Sequence, residues 1–179
     1  MDAYEALLAR RSIRRFTADD VSEEHERLLV EAAFAAPSSM NARPWHFVVV
    51  RDEARRARLA GLHRWSGLLR RAPLVVAVLG RADAVAWVED CAAATENLLT
   101  AATALGLGAC WVGIYENGPA PHPDEVACLE VLGATPERWR ALCLIGVGHP
   151  AEQKPPRSQF QPTKLSYELV GRHRRPAAG

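Results

Sequence analysis

Lysine is nearly missing from this chain: of 22 basic residues only Lys154 and Lys164 are lysines, a bias that a genome of high G+C content would produce as readily as any function. Charge of one sign is not in excess either. The formal net charge of +1 leaves no global field drawing the protein toward nucleic acid or an anionic membrane. Long apolar runs are absent; runs such as residues 73–80 fall far short of the ~20 residues a membrane-spanning helix needs. The four cysteines, Cys91, Cys110, Cys128 and Cys143, are widely spaced and form no C-x-x-C pair. That spacing fits neither a zinc site nor a dense disulfide framework, and buried free thiols are expected. No G-x-G-x-x-G turn follows a predicted strand, since Gly146-Val147-Gly148 runs into Pro150, so a dinucleotide-binding Rossmann unit is rejected. No H-E-x-x-H appears, and no Ser/His/Asp set has a recognisable context. Glu5 and the arginines from Arg10 to Arg15 interrupt any secretory opening, which makes a cytoplasmic protein the expectation.

What is present is ordinary globular composition, 49% hydrophobic and 24% charged over 179 residues, enough for one domain. That domain is expected over 1–171, with an extended segment from about 151 that carries Pro155, Pro156 and Pro162, and a disordered tail over 172–179. Apolar spacing predicts helices over 2–9, 23–36, 52–62 and 123–132. Ser22 and Asp52 stand as caps, and Pro37 as a stop. Residues 84–106 form the longest helical pattern, apolar around most of its circumference, as suits a helix in a core or between subunits. Strands are expected over 46–50, 74–79, 109–114 and 141–147. The unbroken Leu74 to Leu79 run predicts a strand covered on both faces. Four strands with helices on both sides predict an α+β fold, a three-layer α/β/α sandwich.

Three segments carry candidate chemistry. Arg10-Arg11-Ser12-Ile13-Arg14-Arg15-Phe16 offers forked guanidinium donors and a hydroxyl suited to a phosphate. A solvated basic turn at a helix end is the plainer reading. Pro37-Ser38-Ser39-Met40-Asn41-Ala42-Arg43-Pro44-Trp45 sets small polar groups between prolines, a loop able to bond a heteroaromatic edge or simply to turn. Cys110-Trp111-Val112-Gly113-Ile114 places a glycine in an apolar strand, either for close approach of a flat ligand or for a bulge. Trp65, between basic segments, is placed at a pocket mouth, and His149 before Pro150 is read as a turn residue.

Taken in order, these segments resemble the nitroreductase family of FMN-dependent oxidoreductases. The match spans roughly 2–160 and includes the R-R-S-x-R-x-F start, P-S-S-M-N-x-x-P-W-x-F, the long central helix, G-x-x-W-x-G and a closing G-x-P with a downstream Pro-Pro-Arg. The resemblance implies a nitroreductase-like fold with a mixed, mostly antiparallel central sheet flanked by helices. It also implies a homodimer with FMN sites built from both chains at the interface. It places Arg10, Arg11, Ser12 and Arg14 along the FMN, with Arg157 at the phosphate. Pro37, Ser38, Ser39 and Asn41 lie on a loop reaching over from the partner chain, and the Val112 and Gly113 backbone faces flavin N5. Relatives often carry a second base where Gln159 stands, for which Lys154 is a substitute, and Gln where Arg43 stands. No catalytic side chain is implied, because the flavin carries the hydride between NAD(P)H and an organic acceptor such as a nitroaromatic or a quinone, in ping-pong order. Dehalogenation, enone reduction, dehydrogenation and flavin breakdown are other reactions of the family, and a non-catalytic FMN store or a basic-patch nucleic-acid binder are rival readings. The short segments between Leu62 and Leu74 and after Ile114 leave only a small lid.

Overall fold

The computed structural model describes residues 1–118, 120–155 and 159–172. Five helices and four strands alternate in the expected order. Each helix starts where a side chain can satisfy its free N–H groups. In α1 (Ala3–Ala9) Asp2 and Glu5 form a reciprocal capping box, and in α2 (Glu23–Phe34) the Ser22 hydroxyl accepts from His25 N. In α3 (Glu53–Leu59) Asp52 accepts from Arg55 N. The long helix α4 (Trp87–Ala104) is shorter than its apolar pattern at both ends. Residues 84–86 turn before it, and Gly106, at φ 74°, reverses the chain beyond it while Leu107 N bonds Ala102 O at 2.8 Å. Pro123–Leu132 forms α5, closed by Gly133 at φ 70°.

The strands β1 (Trp45–Val50), β2 (Leu74–Arg81), β3 (Gly108–Gly113) and β4 (Trp139–Gly148) form one sheet in the order β1-β2-β4-β3. Every ladder is antiparallel, and the parallel pairing among the described residues is the isolated Ser12–Ala109 bridge at the open edge of β3. The period of two explains the unbroken apolar run in β2. Leu74, Val76 and Val78 pack with α2 and α4, while Val75, Ala77 and Leu79 face Leu59, Leu69 and Leu129 on the other side. The two cores make three layers, with α2 and α4 on one face and α3 and α5 on the other.

One irregularity bears on the site. Opposite β2, the register of β4 jumps from Cys143 to Ala141, so Leu142 is an extra residue. This bulge puts Leu142 and Cys143 in the same core, and the Leu142 carbonyl accepts from both Ile114 N and Tyr115 N at 3.1 Å. Bulges bend a strand and often lie beside functional sites. The irregularity expected at Gly113 therefore sits on its neighbour, and β3 pairs with β4 in unbroken register through Gly113.

Candidate functional site

A cavity of about 720 Å³ opens where β3 ends. It falls within the roughly 300–1,000 Å³ usual for small-molecule sites. It is lined by Arg14 of the basic segment, by Cys110, Trp111, Val112 and Gly113 of β3, and by His63, Arg64, Trp65, Gly67 and Leu68 from the stretch between α3 and β2. A second cavity of about 550 Å³ shares His63, Arg64, Trp65 and Gly113 and extends to Tyr115, Glu116 and Asp124.

The edge position of β3 fixes which backbone groups are available. Ile114 N bonds Leu142 O, so even-numbered residues of β3 pair with β4 and odd-numbered ones turn N–H and C=O toward the open edge. Ile13 N takes the Ala109 carbonyl at 3.0 Å. His63 takes the Gly113 carbonyl, with Nε2 at 3.0 Å; Trp65 N donates to His63 Nδ1 at 3.2 Å, so the proton sits on Nε2. The Gly113 N–H is left on the edge, at the cavity. An ideal Cβ on Gly113 would touch only Trp111 Nε1, at 3.8 Å, so the position is open rather than packed.

The basic segment reaches this edge because Gly108 has no side chain. A Cβ there would lie 2.6 Å from Ile13 Cγ2 and push residues 12–14 away. From the other side the chain after β4 straps the segment down. Phe16 and Pro150 form an antiparallel bridge, Ala151 N bonds Arg15 O at 2.9 Å, and Arg11 Nη1 donates to Pro155 O. Glu152 accepts from Arg14 N at 2.6 Å and Arg15 N at 3.2 Å, and Lys154 Nζ bonds both Glu152 Oε1 and the Ser12 carbonyl. Lys154, the substitute cation for Gln159, thus spends two donors inside the chain.

The Arg14 N–H above all, then Lys154 and the Arg15 N–H, pull the Glu152 carboxyl down to about 2. A depressed carboxylate pKa adds stability above the unfolded value, here 4.5, and that share is lost as pH falls toward 2. We expect the strap to loosen over that interval in the parent protein, and Glu152→Gln to remove this part of the pH dependence. Thermal melts of both proteins between pH 5 and about 2.5 check it; parallel pH profiles would contradict the assignment.

The remaining predicted residues divide. Arg10 caps the end of α1, and its Nε lies 3.0 Å from Glu96 Oε1 without hydrogen-bond alignment, away from the cavity wall. Ser12 sits in the bridge to Ala109. Pro37, Ser38, Ser39 and Asn41 do not line the cavity in this chain. Their loop is strained: Met40, Asn41 and Arg43 all have left-handed φ of 46–55°, and Met40 is 99% exposed. Three contacts hold it, Arg43 N to Ser38 Oγ, Arg43 Nε to Asn41 Oδ1, and Ser39 N to the buried Asp90 of α4 at 2.8 Å. Arg157 and most of the expected tail, 173–179, lie outside the described residues. Trp65 stands at the cavity mouth, 69% exposed. Sequence reasoning missed His63, Arg64, Asp90, Gly108 and Glu152, whose partners are 50 or more positions away or carry no local motif. All four cysteines are free and buried, and burial raises the Cys110 thiol despite Arg14 and Ser12 beside it, so the one on the cavity wall stays protonated.

Comparison with known proteins gives a consistent result. The profile described as "Nitroreductase family" matches residues 7–66 and 60–149. A Methanothermobacter thermautotrophicus protein with the provisional name NADH dehydrogenase/NAD(P)H nitroreductase is 35% identical over 94% of this chain and 87% of its own. A crystal structure of a Parabacteroides distasonis protein with the same provisional name superposes with a TM-score of 0.86 at 30% identity, covering 93% of this chain and 98% of that one. A Desulfovibrio desulfuricans structure, provisionally a nitroreductase and solved in complex with FMN, has a TM-score of 0.78 at 33% identity over 89% and 93% of the two chains. More distant relatives are named 5,6-dimethylbenzimidazole synthase (Rhodospirillum rubrum, 31% identical over 86% of this chain and 85% of its own) and iodotyrosine deiodinase (Thermotoga neapolitana, 26% over 85% and 90%). With the α+β sheet order, the edge-strand cavity and these matches together, the chain belongs to the nitroreductase family.

Proposed function

We propose that this chain is an FMN-dependent oxidoreductase that takes electrons from NAD(P)H and passes them to a small organic acceptor, a nitroaromatic or quinone, in turn at one cavity. The observation that carries the reading is the open Gly113 edge, which shares with Arg14 a cavity lined by no carboxylate among the described residues. These residues fit a flat, anionic cofactor. The Gly113 N–H would donate to the edge of the ring, Arg14 would hold its negative charge, and the absence of a Cβ at Gly113 leaves the face clear for a second flat molecule. Bound FMN would supply the hydride transfer, which no side chain here is equipped to perform. Arg11, Ser12 and Arg157 would complete the cofactor's surroundings, and Arg10 would join them only by leaving Glu96.

The site is proposed to need two chains. Tyr4, Leu7, Leu8 and Phe34 are all about half exposed or more along α1 and α2, beside a groove of about 560 Å³ between α1, α2 and α4. A second copy covering this face would form a homodimer, and the held loop of Pro37, Ser38, Ser39 and Asn41 would reach the partner's cavity. No helix among the described residues is long and apolar enough to cross a membrane.

Released flavin and steady-state kinetics test the proposal. Denatured protein should release FMN, and without oxygen NADH or NADPH should be oxidised beyond one equivalent of flavin only when a nitro compound or quinone is supplied, with parallel double-reciprocal lines. Arg14→Ala should weaken FMN binding to the apoprotein by about 1.5–3 kcal/mol, the usual worth of a hydrogen bond to a charged group. Release of FAD or of no flavin, or an Arg14→Ala protein with parent affinity, would overturn the assignment. Deiodination or dehydrogenation without nitro or quinone reduction would keep the cofactor and move the acceptor.

A further inference from the structure

Arg64 is the cation on the cavity wall for which cofactor binding has no use. It lines the same cavity as Arg14, exposed, with its guanidinium carbon 4.7 Å from the centroid of the Trp65 ring. No ion pair to an acid is formed by Arg64 among the described residues, whereas Arg10 and Arg15 each have one and Arg51 has two. The stack holds the charge in place without neutralising it. Its backbone is held as well. His63 is tied to Gly113 O and Trp65 N, and Ser66, fully buried, donates its hydroxyl to Ala60 O and His63 O at 2.9 and 2.7 Å. A fixed guanidinium and an aromatic face thus meet at the junction of the two cavities.

The acids lie elsewhere. Glu116 and Asp124 belong only to the second cavity, at its far end. There His122 is close to both, with Nε2 3.7 Å from Glu116 Oε2 and Nδ1 4.0 Å from Asp124 Oδ2. A molecule entering between them meets positive charge on the Gly113 side and negative charge on the outer side.

We infer that Arg64 and Trp65 select the acceptor, favouring planar aromatic compounds that carry an anionic group such as a carboxylate. The ring stacks on Trp65, and the anion pairs with Arg64 on the inner, acid-free side. This rests on the proposed flavin-dependent reduction and adds the class of acceptor to it.

The test uses the FMN-loaded protein in two measurements. The first is the dissociation constants of benzoate and benzamide for the oxidised protein, from the flavin absorbance change. The second is KM and kcat for 4-nitrobenzoate and 4-nitrobenzamide. The parent should bind the anion about tenfold more tightly than the amide, the size of one charge-assisted hydrogen bond. Arg64→Ala should make the two compounds equal, Arg64→Lys should restore part of the preference, and Trp65→Ala should weaken both several-fold. The difference should appear in KM rather than kcat. Equal binding of both compounds by the parent, a preference that survives Arg64→Ala, or an effect confined to NADPH against NADH would each overturn the inference. Failure of the parent to reduce either nitro compound would refute the proposed function instead, and benzoate against benzamide on the oxidised protein would still decide the role of Arg64.

Discussion

Replacing Gly113 with Val is expected to abolish most NAD(P)H-dependent reduction while moving the melting temperature by no more than about 2 °C, the shift that a surface change of about 0.5 kcal/mol produces in a domain of this size. The two halves of this expectation come from separate observations. Stability is spared because Gly113 has no left-handed φ, sits in unbroken register with Cys143, and has room for a Cβ whose nearest contact beyond the adjoining residues is Trp111 Nε1 at 3.8 Å. A β-branched residue suits such a strand. Activity is lost because the isopropyl group enters the cavity beside the Gly113 N–H on this open edge. Had glycine served a bulge, the same substitution would have cost about 1–3 kcal/mol through strain or overpacking. The bulge lies on β4 at Leu142 instead. Melting temperature and the rate of flavin reduction by NADH, taken on one preparation, check the claim. A clearly destabilised protein that reduces its flavin at the parent rate would return Gly113 to a purely structural role.

Glu125→Ala is expected to cost about 3–5 kcal/mol, because it strands a buried charge. Glu125 is fully buried in the first turn of α5, and Arg140 on β4 is 8% exposed. The pair is bidentate, Nε to Oε1 at 2.7 Å and Nη2 to Oε2 at 3.0 Å, and Oε1 also accepts from Ala141 N at 2.9 Å. The Arg140 guanidinium lies over the Trp87 and Tyr115 rings, with its carbon 5.5 and 5.2 Å from their centroids. The group therefore ties α5 and the start of α4 to the strand just before the Leu142 bulge, behind the wall that carries Tyr115 and Asp124. Removing the carboxylate leaves a guanidinium and a backbone N–H unpaired in a dry interior. Urea unfolding of Glu125→Ala, Arg140→Leu and the double variant checks the argument. The double variant should lose less than Glu125→Ala alone, since no uncompensated charge remains. A Glu125→Ala protein within about 1 kcal/mol of the parent would mean that water reaches Arg140.

Much of the architecture was legible because its causes are local. Ser22 and Asp52 cap α2 and α3 through bonds spanning three residues, and Gly133 ends α5 through its own φ. The apolar run in β2 showed that both faces are covered, since a strand exposed on one side alternates. The ends of α4 were less legible. Apolar content continues over 84–106, and only the turn before Trp87 and the left-handed Gly106 cut the helix to Trp87–Ala104. Arg14, Val112 and Gly113 line one cavity, although they come from separate segments of the chain. The loop from Pro37 to Asn41 does not line it in this chain.

What the amino-acid sequence determined by itself was the order and type of the elements, the family to which their motifs belong, and the residue types able to meet a flat anionic cofactor. These depend on capping, periodicity and backbone freedom within a few residues. Only the tertiary structure decided which of those groups are available. Arg10 was drawn to Glu96 and Lys154 to Ser12 and Glu152, while Arg64 kept its charge over Trp65. The physical reason is that a charge or a backbone donor is spent by whatever reaches it first in space. Glu96, Ser12, Gly113 and Pro155 lie 50 to 144 positions from Arg10, Lys154, His63 and Arg11, and no local pattern records them. The Gly113 N–H is open for the same reason: β3 became the edge of the sheet, a consequence of the order β1-β2-β4-β3 that no single strand specifies.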